Sequence, residues 1–220
     1  MASDRVTLEE HSVPEEELEA CIFDCDGTLV DSMPLYFKTW ELTCEFFGLA
    51  FTKVEFYKLA GTPVNDIIEF ILNKGIYSGE RVPTLEEVVI KKREFGDKVK
   101  ATGLKPEAIE CVVDIVNYYN NKGIPLGVAS SGWKDHVYES LTQNDLLKYF
   151  KVIVTADDMS KDSKPKPAPD IFLEVAKQLR VNPIKCKGFE DADLGIQSLK
   201  SAGMEPVDVR LLNGYPFDTD

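Results

Sequence analysis

The second half of the chain alternates short apolar runs with amphipathic stretches of helical length, and this alternation limits the possible folds more than any other feature. The apolar runs predict buried strands at 20–23, 125–129, 152–155, 187–189 and 206–209. The amphipathic stretches between the later runs predict helices at 134–147, 170–179 and 194–202. Strands that alternate with helices indicate a parallel sheet with helices on both of its faces.

The first strand breaks this rhythm, because the segment after it predicts helices and no strand. Apolar residues recur at helical spacing in 35–47, 64–73 and 85–100. We therefore expect an all-helical insertion, a cap above the α/β core, and Gly103 and Pro106 mark the return to the core. The predicted division is an acidic, disordered N-terminal arm at 1–18, an α/β catalytic core at 19–33 and 101–220, and a helical cap at 34–100.

Composition and charge exclude several classes of function. No apolar run approaches the roughly 18–20 residues that a membrane helix needs, and the acidic start resembles neither a secretory signal nor a transit peptide, so we expect a cytoplasmic protein. The formal net charge of −13 argues against nucleic acid or an anionic membrane as partner. The five cysteines lack paired spacing and predict reduced thiols rather than a zinc site.

The strongest chemical signal is the sequence DCDGTL at 24–29, directly after the first predicted strand. Ligand sites in open α/β sheets lie beyond the carboxyl ends of the strands, which is where Asp24 and Asp26 fall. One carboxylate could point at an electrophile while the other supplies a proton to a leaving group. The alternative is an acidic turn that only ends the strand, since Asp and Gly are common turn residues.

Two further segments carry groups suited to a phosphate. Ser130 and Ser131 follow the strand at 125–129 and offer a hydroxyl and backbone N–H groups, although a helix N-cap would look the same. Lys166 stands among prolines just before a predicted helix, where a fixed backbone could aim its ammonium. A loop lysine is otherwise usually a solvated charge.

Acidic residues follow the strand at 187–189. Glu190 and Asp191 at this strand end are natural ligands for a hard metal ion, although acids also favour helix N-termini. Asp193 is better explained by that helix end than by the metal.

These four segments, in this order, resemble the four motifs of the haloacid dehalogenase superfamily, and the resemblance covers nearly the whole chain. The place of the insertion resembles the helical-cap group that includes β-phosphoglucomutase. The run from 189 to 212 is similar to bacterial fructose-1-phosphate phosphatases of that group. The resemblance implies an α/β fold with a Rossmann-like parallel-sheet core and an inserted all-helical cap.

The resemblance also implies the chemistry at the two aspartates and the metal. Asp24 would be the nucleophile that forms an aspartyl-phosphate. Asp26 would be the general acid and then the base for water, and its backbone carbonyl would bind Mg²⁺. Asp191 would complete the protein ligands to Mg²⁺, and Glu190 would act indirectly, through water or by holding Lys166. The second aspartate favours cleavage of a P–O bond, because dehalogenases of the superfamily lack it.

The remaining roles concern the phosphate itself. By the same resemblance, Ser130 would bind the transferring phosphoryl group, helped by N–H groups near Cys25, Asp26 and Ser131. Lys166 would neutralise the phosphate and the nucleophile. Positioned cations and N–H donors suit phosphoryl transfer, in which charge accumulates on the peripheral oxygens.

Three activities remain open, and the cap distinguishes the first two. We expect a Mg²⁺-dependent phosphatase for a small sugar or polyol phosphate; the alternatives are a β-phosphoglucomutase-type mutase and a non-catalytic phosphate-binding protein. Similar mutases hold a second phosphate with a cap arginine where this chain has Val64, and the usual cap histidine is Tyr36 here. Trp40 could contact substrate or pack in the cap. Lys91 or Lys92 could reach the substrate or be solvated.

The partners follow from these expectations. We predict a small phosphorylated metabolite as the ligand, no binding to nucleic acid or membranes, and a monomer. Because every motif residue needed for chemistry is present, the non-catalytic alternative is the weakest of the three.

Overall fold

A central parallel sheet organises the computed structural model, which describes residues 12–216. Its strand order is β5-β4-β1-β6-β7, with every neighbouring pair parallel. The strands are β1 (Ala20–Phe23), β4 (Leu126–Ala129), β5 (Val152–Val154), β6 (Cys186–Glu190) and β7 (Glu205–Asp208). The five strands predicted from the sequence, and the α/β class they indicated, are confirmed.

Strand β1 occupies the middle of the sheet, between β4 and β6. Cys21 is paired with Leu126 on one side and with Lys187 on the other. All four residues of β1 are completely buried, as expected for a central strand covered on both faces. One apolar cluster, which includes Phe23 and Leu126, covers one face of the sheet, and a second, which includes Ile22 and Phe172, covers the other.

Eight α-helices lie within the described residues. The core helices are α5 (Glu110–Asn121), α6 (Lys134–Gln143), α7 (Asp170–Leu179) and α8 (Asp193–Ser201). The helices inserted after β1 are α1 (Met33–Phe47), α2 (Lys53–Lys58), α3 (Val64–Asn73) and α4 (Leu85–Ala101). The sequence analysis did not assign α2 or α5. The first of these is short and begins with a capping box between Thr52 and Glu55.

The four inserted helices have an apolar cluster of their own, which includes Trp40, Ile68 and Val88. A two-stranded antiparallel pair, β2 (Val30–Asp31) with β3 (Glu107–Ala108), joins the chain where it leaves and re-enters the core. The insertion is therefore a helical layer with its own core, held to the sheet by two adjacent connections.

The N-terminal segment differs from the disordered arm that was predicted at 1–18. Residues 1–11 lie outside the described part of the chain, but Val13 and Leu18 are buried and pack in the same apolar cluster as Phe23. Glu15 adds exposed contacts to Tyr118 and Lys122 on α5. Residues 12–18 are thus part of the core, because two apolar side chains among the acids anchor them.

Between residues 12 and 216, no helix is both long enough and apolar enough to cross a bilayer.

Candidate active site

The predicted site residues meet at one edge of the sheet because their strands are adjacent and parallel. Asp24 follows β1, Ser130 follows β4, Glu190 ends β6 and Asp191 follows it. The backbone N–H of Asp24 donates to the carbonyl of Phe189 at 3.0 Å, which extends the β1–β6 ladder to the carboxylates. Segments more than a hundred residues apart in the chain therefore share one site.

Lys166 lies at the centre of this site, with 8% of its surface exposed. Its Nζ donates to Asp24 Oδ1 at 2.5 Å, to Glu190 Oε1 at 2.6 Å and to the carbonyl of Ala129 at 3.3 Å. The ammonium also stands 4.9 Å from the ring centroid of Phe172. Its three hydrogens all have acceptors, which fixes a long side chain that would otherwise be flexible. The contact with Glu190 corresponds to one of the two indirect roles expected for that residue.

One ammonium does not balance the carboxylates around it. Asp24, Glu190 and Asp191 are all buried. Burial, together with repulsion from Glu190, raises the pKa of Asp24 from 3.8 to about 7, although Lys166 opposes the shift. Burial and the charges of Glu190 and Asp24 also raise the pKa of Asp191 well above its ordinary value. Although burial opposes it, the pKa of Lys166 is raised by the same two partners, Asp24 and Glu190. The site carries surplus negative charge.

This surplus fits a divalent cation beside Asp24 and Asp191. No three His, Cys, Asp or Glu side chains within residues 12–216 form a metal-binding group, so a cation beside these two carboxylates would need further oxygen donors from the backbone or from water. Thr28 Oγ1 donates to Asp191 Oδ1 at 2.8 Å and orients that carboxylate. Gly27 has a φ of +85°, and a Cβ there would stand 2.3 Å from Asp191 Oδ2. Only glycine lets the 24–29 loop approach Asp191 this closely.

Asp26 has a different environment from Asp24. Its Oδ1 is 3.2 Å from the hydroxyl of Tyr36 and 3.0 Å from Nε2 of His136, and these two partners are themselves 2.7 Å apart. Burial would raise the pKa of Asp26, but the hydrogen bond and charge of His136 and the hydroxyls of Ser32 and Tyr36 hold it below its ordinary value. The pKa values of the two neighbouring aspartates are thus shifted in opposite directions. A cation beside Asp24 would lower the pKa of that carboxyl, because a nearby positive charge favours the ionised form.

The loop after β4 presents polar groups to the same space. Ser130 is 1% exposed, and its Oγ accepts a hydrogen bond from the N–H of Gly132 at 3.0 Å. Ser131 is exposed, so of the two predicted serines only Ser130 has a buried hydroxyl. Within residues 12–216, the backbone N–H groups of Cys25, Asp26 and Ser131 donate to no protein acceptor. Because Cys25 is completely buried, its unpaired N–H favours an anion at this point.

A cavity of about 460 Å³ lies between the cap and the core, and it is lined by Tyr36 and His136, the two partners of Asp26, but not by Asp26 itself. Its walls include Tyr36 from α1, Lys92 from α4, and Trp133 and His136 at the start of α6. On the other side of the cap, a Cβ at Gly61 would lie 3.1 Å from that of Ala192, so the loop before α3 touches the start of α8. The cap therefore covers the carboxyl edge of the sheet and leaves a small chamber.

His136 is the residue at this site that the sequence analysis did not assign. Its place at the start of a helix carries no local sign of a contact with Asp26, so neither the motifs nor their spacing single it out. The departure of Tyr36 from the family pattern was noted, but not its hydrogen bond to the same aspartate.

The other cap residues and Asp193 lie away from the carboxylates. Trp40 is 2% exposed and packs edge-on against Phe51, so its role is in the cap core. Lys91 forms an ion pair with Glu94, and Lys92 stands over the ring of Trp40. Asp193 is the first residue of α8, and its exposed carboxylate pairs with Arg210 at 2.7 Å.

Comparison with known proteins supports the predicted resemblance. A family model described as haloacid dehalogenase-like hydrolase matches residues 21–209. A phosphorylated carbohydrates phosphatase from Thermotoga maritima is 34% identical over 194 residues, covering 86% of this chain and 84% of that protein. The fructose-1-phosphate phosphatase YqaB from Escherichia coli is 32% identical over 198 residues, covering 90% of this chain and 99% of that protein.

A similar solved structure is that of a putative β-phosphoglucomutase from Thermotoga maritima, with 31% identity and a TM-score of 0.64. The match covers 86% of this chain and 83% of that one. It agrees with the parallel sheet and the helical insertion described above. Because the family model spans all four motif segments, the predicted membership is confirmed: this chain belongs to the haloacid dehalogenase-like hydrolase family of enzymes.

Proposed function

We propose that the protein is a Mg²⁺-dependent phosphatase that hydrolyses a small sugar or polyol phosphate monoester through an aspartyl-phosphate intermediate. The observation that carries the proposal is that the two aspartates of one loop have different contacts. Asp24 is in contact with the buried ammonium of Lys166, whereas Asp26 is in contact with Tyr36 and His136. A nucleophile and a proton donor need such different surroundings.

In the first step, a carboxylate oxygen of Asp24 forms a bond to phosphorus and the bond from phosphorus to the leaving oxygen breaks. Asp26 gives its proton to that oxygen, which leaves as an alcohol. Lys166, the hydroxyl of Ser130 and the unpaired N–H groups of Cys25, Asp26 and Ser131 balance the charge on the peripheral oxygens.

In the second step, water attacks phosphorus, and Asp26, now ionised, takes the proton from that water. The bond between phosphorus and the Asp24 oxygen breaks, which releases inorganic phosphate and restores the carboxylate. The same residue thus acts first as acid and then as base, so each turnover ends in the starting protonation state.

Mg²⁺ would be held by Asp24, the backbone carbonyl of Asp26 and Asp191, with Glu190 contributing indirectly through Lys166. The surplus of buried negative charge and the all-oxygen donor set support this assignment. When bound, the cation would neutralise phosphate charge and favour the ionised, nucleophilic form of Asp24.

The size and lining of the cavity support a small substrate. A volume of about 460 Å³ falls in the range of about 300–1,000 Å³ that is usual for small-molecule pockets. The chamber borders Tyr36 and His136, which touch Asp26, so it would hold the leaving group of the ester. The relatives act on phosphorylated carbohydrates and fructose 1-phosphate by name, which agrees with a sugar-sized leaving group.

The alternative is a mutase, because the similar solved structure is named a putative β-phosphoglucomutase. A mutase must bind a second phosphate while the sugar turns over. Val64 is 42% exposed at the start of α3 and offers no charge at the expected position. Water is therefore the favoured acceptor for the aspartyl-phosphate.

The test is a screen of hexose and polyol monophosphates, phosphoglycolate and nucleotides with Mg²⁺, with release of inorganic phosphate as the readout. We expect turnover of at least one sugar or polyol phosphate by the wild type and none by Asp24→Asn. Binding of phosphate without turnover of any ester would support the non-catalytic alternative and reject the phosphatase.

A further inference from the structure

We propose that His136 is a positioning residue for Asp26. Together with Tyr36 it holds the Oδ1 atom, so that Oδ2 is the oxygen that gives and takes the proton. The inference rests on the proposed function, in which Asp26 is the acid and base, and it assigns a role to a residue outside the four motif segments.

The hydrogen-bond geometry determines which of the three groups donate. An ionised carboxylate only accepts, so Asp26 Oδ1 requires hydrogens from both neighbours at 3.0 and 3.2 Å. Nε2 of His136 must therefore carry a hydrogen, and so must the hydroxyl of Tyr36. The hydrogen on Nε2 is shared between Oδ1 and the Tyr36 oxygen, 2.7 Å from Nε2, which leaves the hydroxyl hydrogen of Tyr36 for Oδ1. Their side chains come from different elements, α6 and α1, so Oδ1 is contacted by one residue of the core and one residue of the cap.

The other oxygen of Asp26 faces the loop after β4. A Cβ built on Gly132 would lie 3.1 Å from Asp26 Oδ2 and 3.1 Å from Ser130 Oγ. Oδ2 is therefore on the side where the phosphoryl group would meet Ser130. The absence of a side chain at position 132 leaves space between these two polar atoms.

Two hydrogen bonds to Oδ1 orient the carboxyl group of Asp26, whose terminal torsion would otherwise be broad and nearly two-fold. Without partners, either oxygen could face the leaving group, or neither. With Oδ1 occupied by two donors, the proton of the acid form must reside on Oδ2. That proton then moves to the leaving oxygen as the P–O bond breaks, and Oδ2 later accepts one from the attacking water.

The test compares two esters that differ in their need for an acid. A polyol phosphate releases an alkoxide that must be protonated, whereas an activated aryl phosphate releases a stable phenolate. The variants are His136→Leu, which removes the donor, His136→Gln, which replaces it with an amide N–H, and Asp135→Asn, an exposed neighbour on α6, as the control. Rapid mixing would measure release of the alcohol or phenolate in the first turnover, and thermal unfolding would check the fold.

A positioned general acid raises the reaction rate about a hundred- to ten-thousandfold, and a misplaced acid should lose part of that rate enhancement. We expect His136→Leu to slow alcohol release about ten- to a hundredfold but to change phenolate release by no more than about twofold. His136→Gln should recover most of the loss, and Asp135→Asn should resemble the wild type.

Equal losses with both esters, no loss with either, or no recovery in His136→Gln would overturn the assignment and leave His136 as a packing contact between cap and core. If His136→Leu does not fold, His136→Ala takes its place with the same expected losses, because it removes the same donor without adding bulk. A wild type that releases phosphate from neither ester would instead reject the proposed function.

Discussion

Replacing Asp24 by asparagine should stabilise the metal-free protein while it abolishes turnover. Asp24 is 7% exposed and is repelled by Glu190 and Asp26, with only Lys166 in opposition. Its pKa rises from 3.8 to about 7, which at about 1.4 kcal/mol for each pKa unit corresponds to about 4 kcal/mol of ionisation cost in the folded state. An amide of the same shape removes that cost.

The attraction of Lys166 is already included in this pKa, so about 4 kcal/mol is the upper limit of the gain in the free energy of unfolding. Lys166 keeps Glu190 and the carbonyl of Ala129, so its ammonium stays paired. We therefore expect a gain of about 1–4 kcal/mol in the free energy of unfolding, or about 2–16 °C in the unfolding midpoint of a domain of this size.

The assay is thermal unfolding at pH 8 in the presence of a chelator, with Asp193→Asn as an exposed control. The gain should shrink as the pH falls from 7 towards 4. A carboxyl with a raised pKa destabilises the fold above its unfolded-state pKa, and its protonation in the folded state relieves the cost. Mg²⁺ should stabilise the wild type more than the variant. A metal-free Asp24→Asn protein that unfolds below the wild type at pH 8 would refute the view that these carboxylates repel one another.

Three other outcomes are expected. Phosphate release should require Mg²⁺ and be inhibited by Ca²⁺, because the oxygen donors suit compact octahedral geometry; full activity after exhaustive chelation would reject the metal site. Asp26→Asn should nearly abolish turnover, whereas Asp193→Asn, which loses only an exposed pair with Arg210, should change kcat by less than about threefold. With β-glucose 1-phosphate and a trace of the bisphosphate, free phosphate should appear before glucose 6-phosphate, since Val64 provides no cation; the opposite order would identify a mutase.

The sequence was sufficient to predict the sheet and the edge at which the site lies. Local periodicity predicts the elements, and helices α3 and α7 lie at the predicted residues. Parallel strands place all their carboxyl ends at one edge, so the segments after β1, β4 and β6 had to lie on that edge. The strand order, which was not predicted from the sequence, makes these three strands neighbours and brings Asp24, Ser130 and Asp191 together.

The tertiary structure decided what the side chains touch. His136 reaches Asp26 across 110 positions of sequence, and Lys166 reaches Asp24 across 142. The contacts of His136 with Asp26 and Tyr36 depend on how the cap helix α1 and the core helix α6 pack together over the sheet. Neither periodicity nor motif spacing carries that information, because both describe one element at a time. For the same reason, the burial of Val13 and Leu18 in an acidic segment became visible only once the core against which they pack was in place.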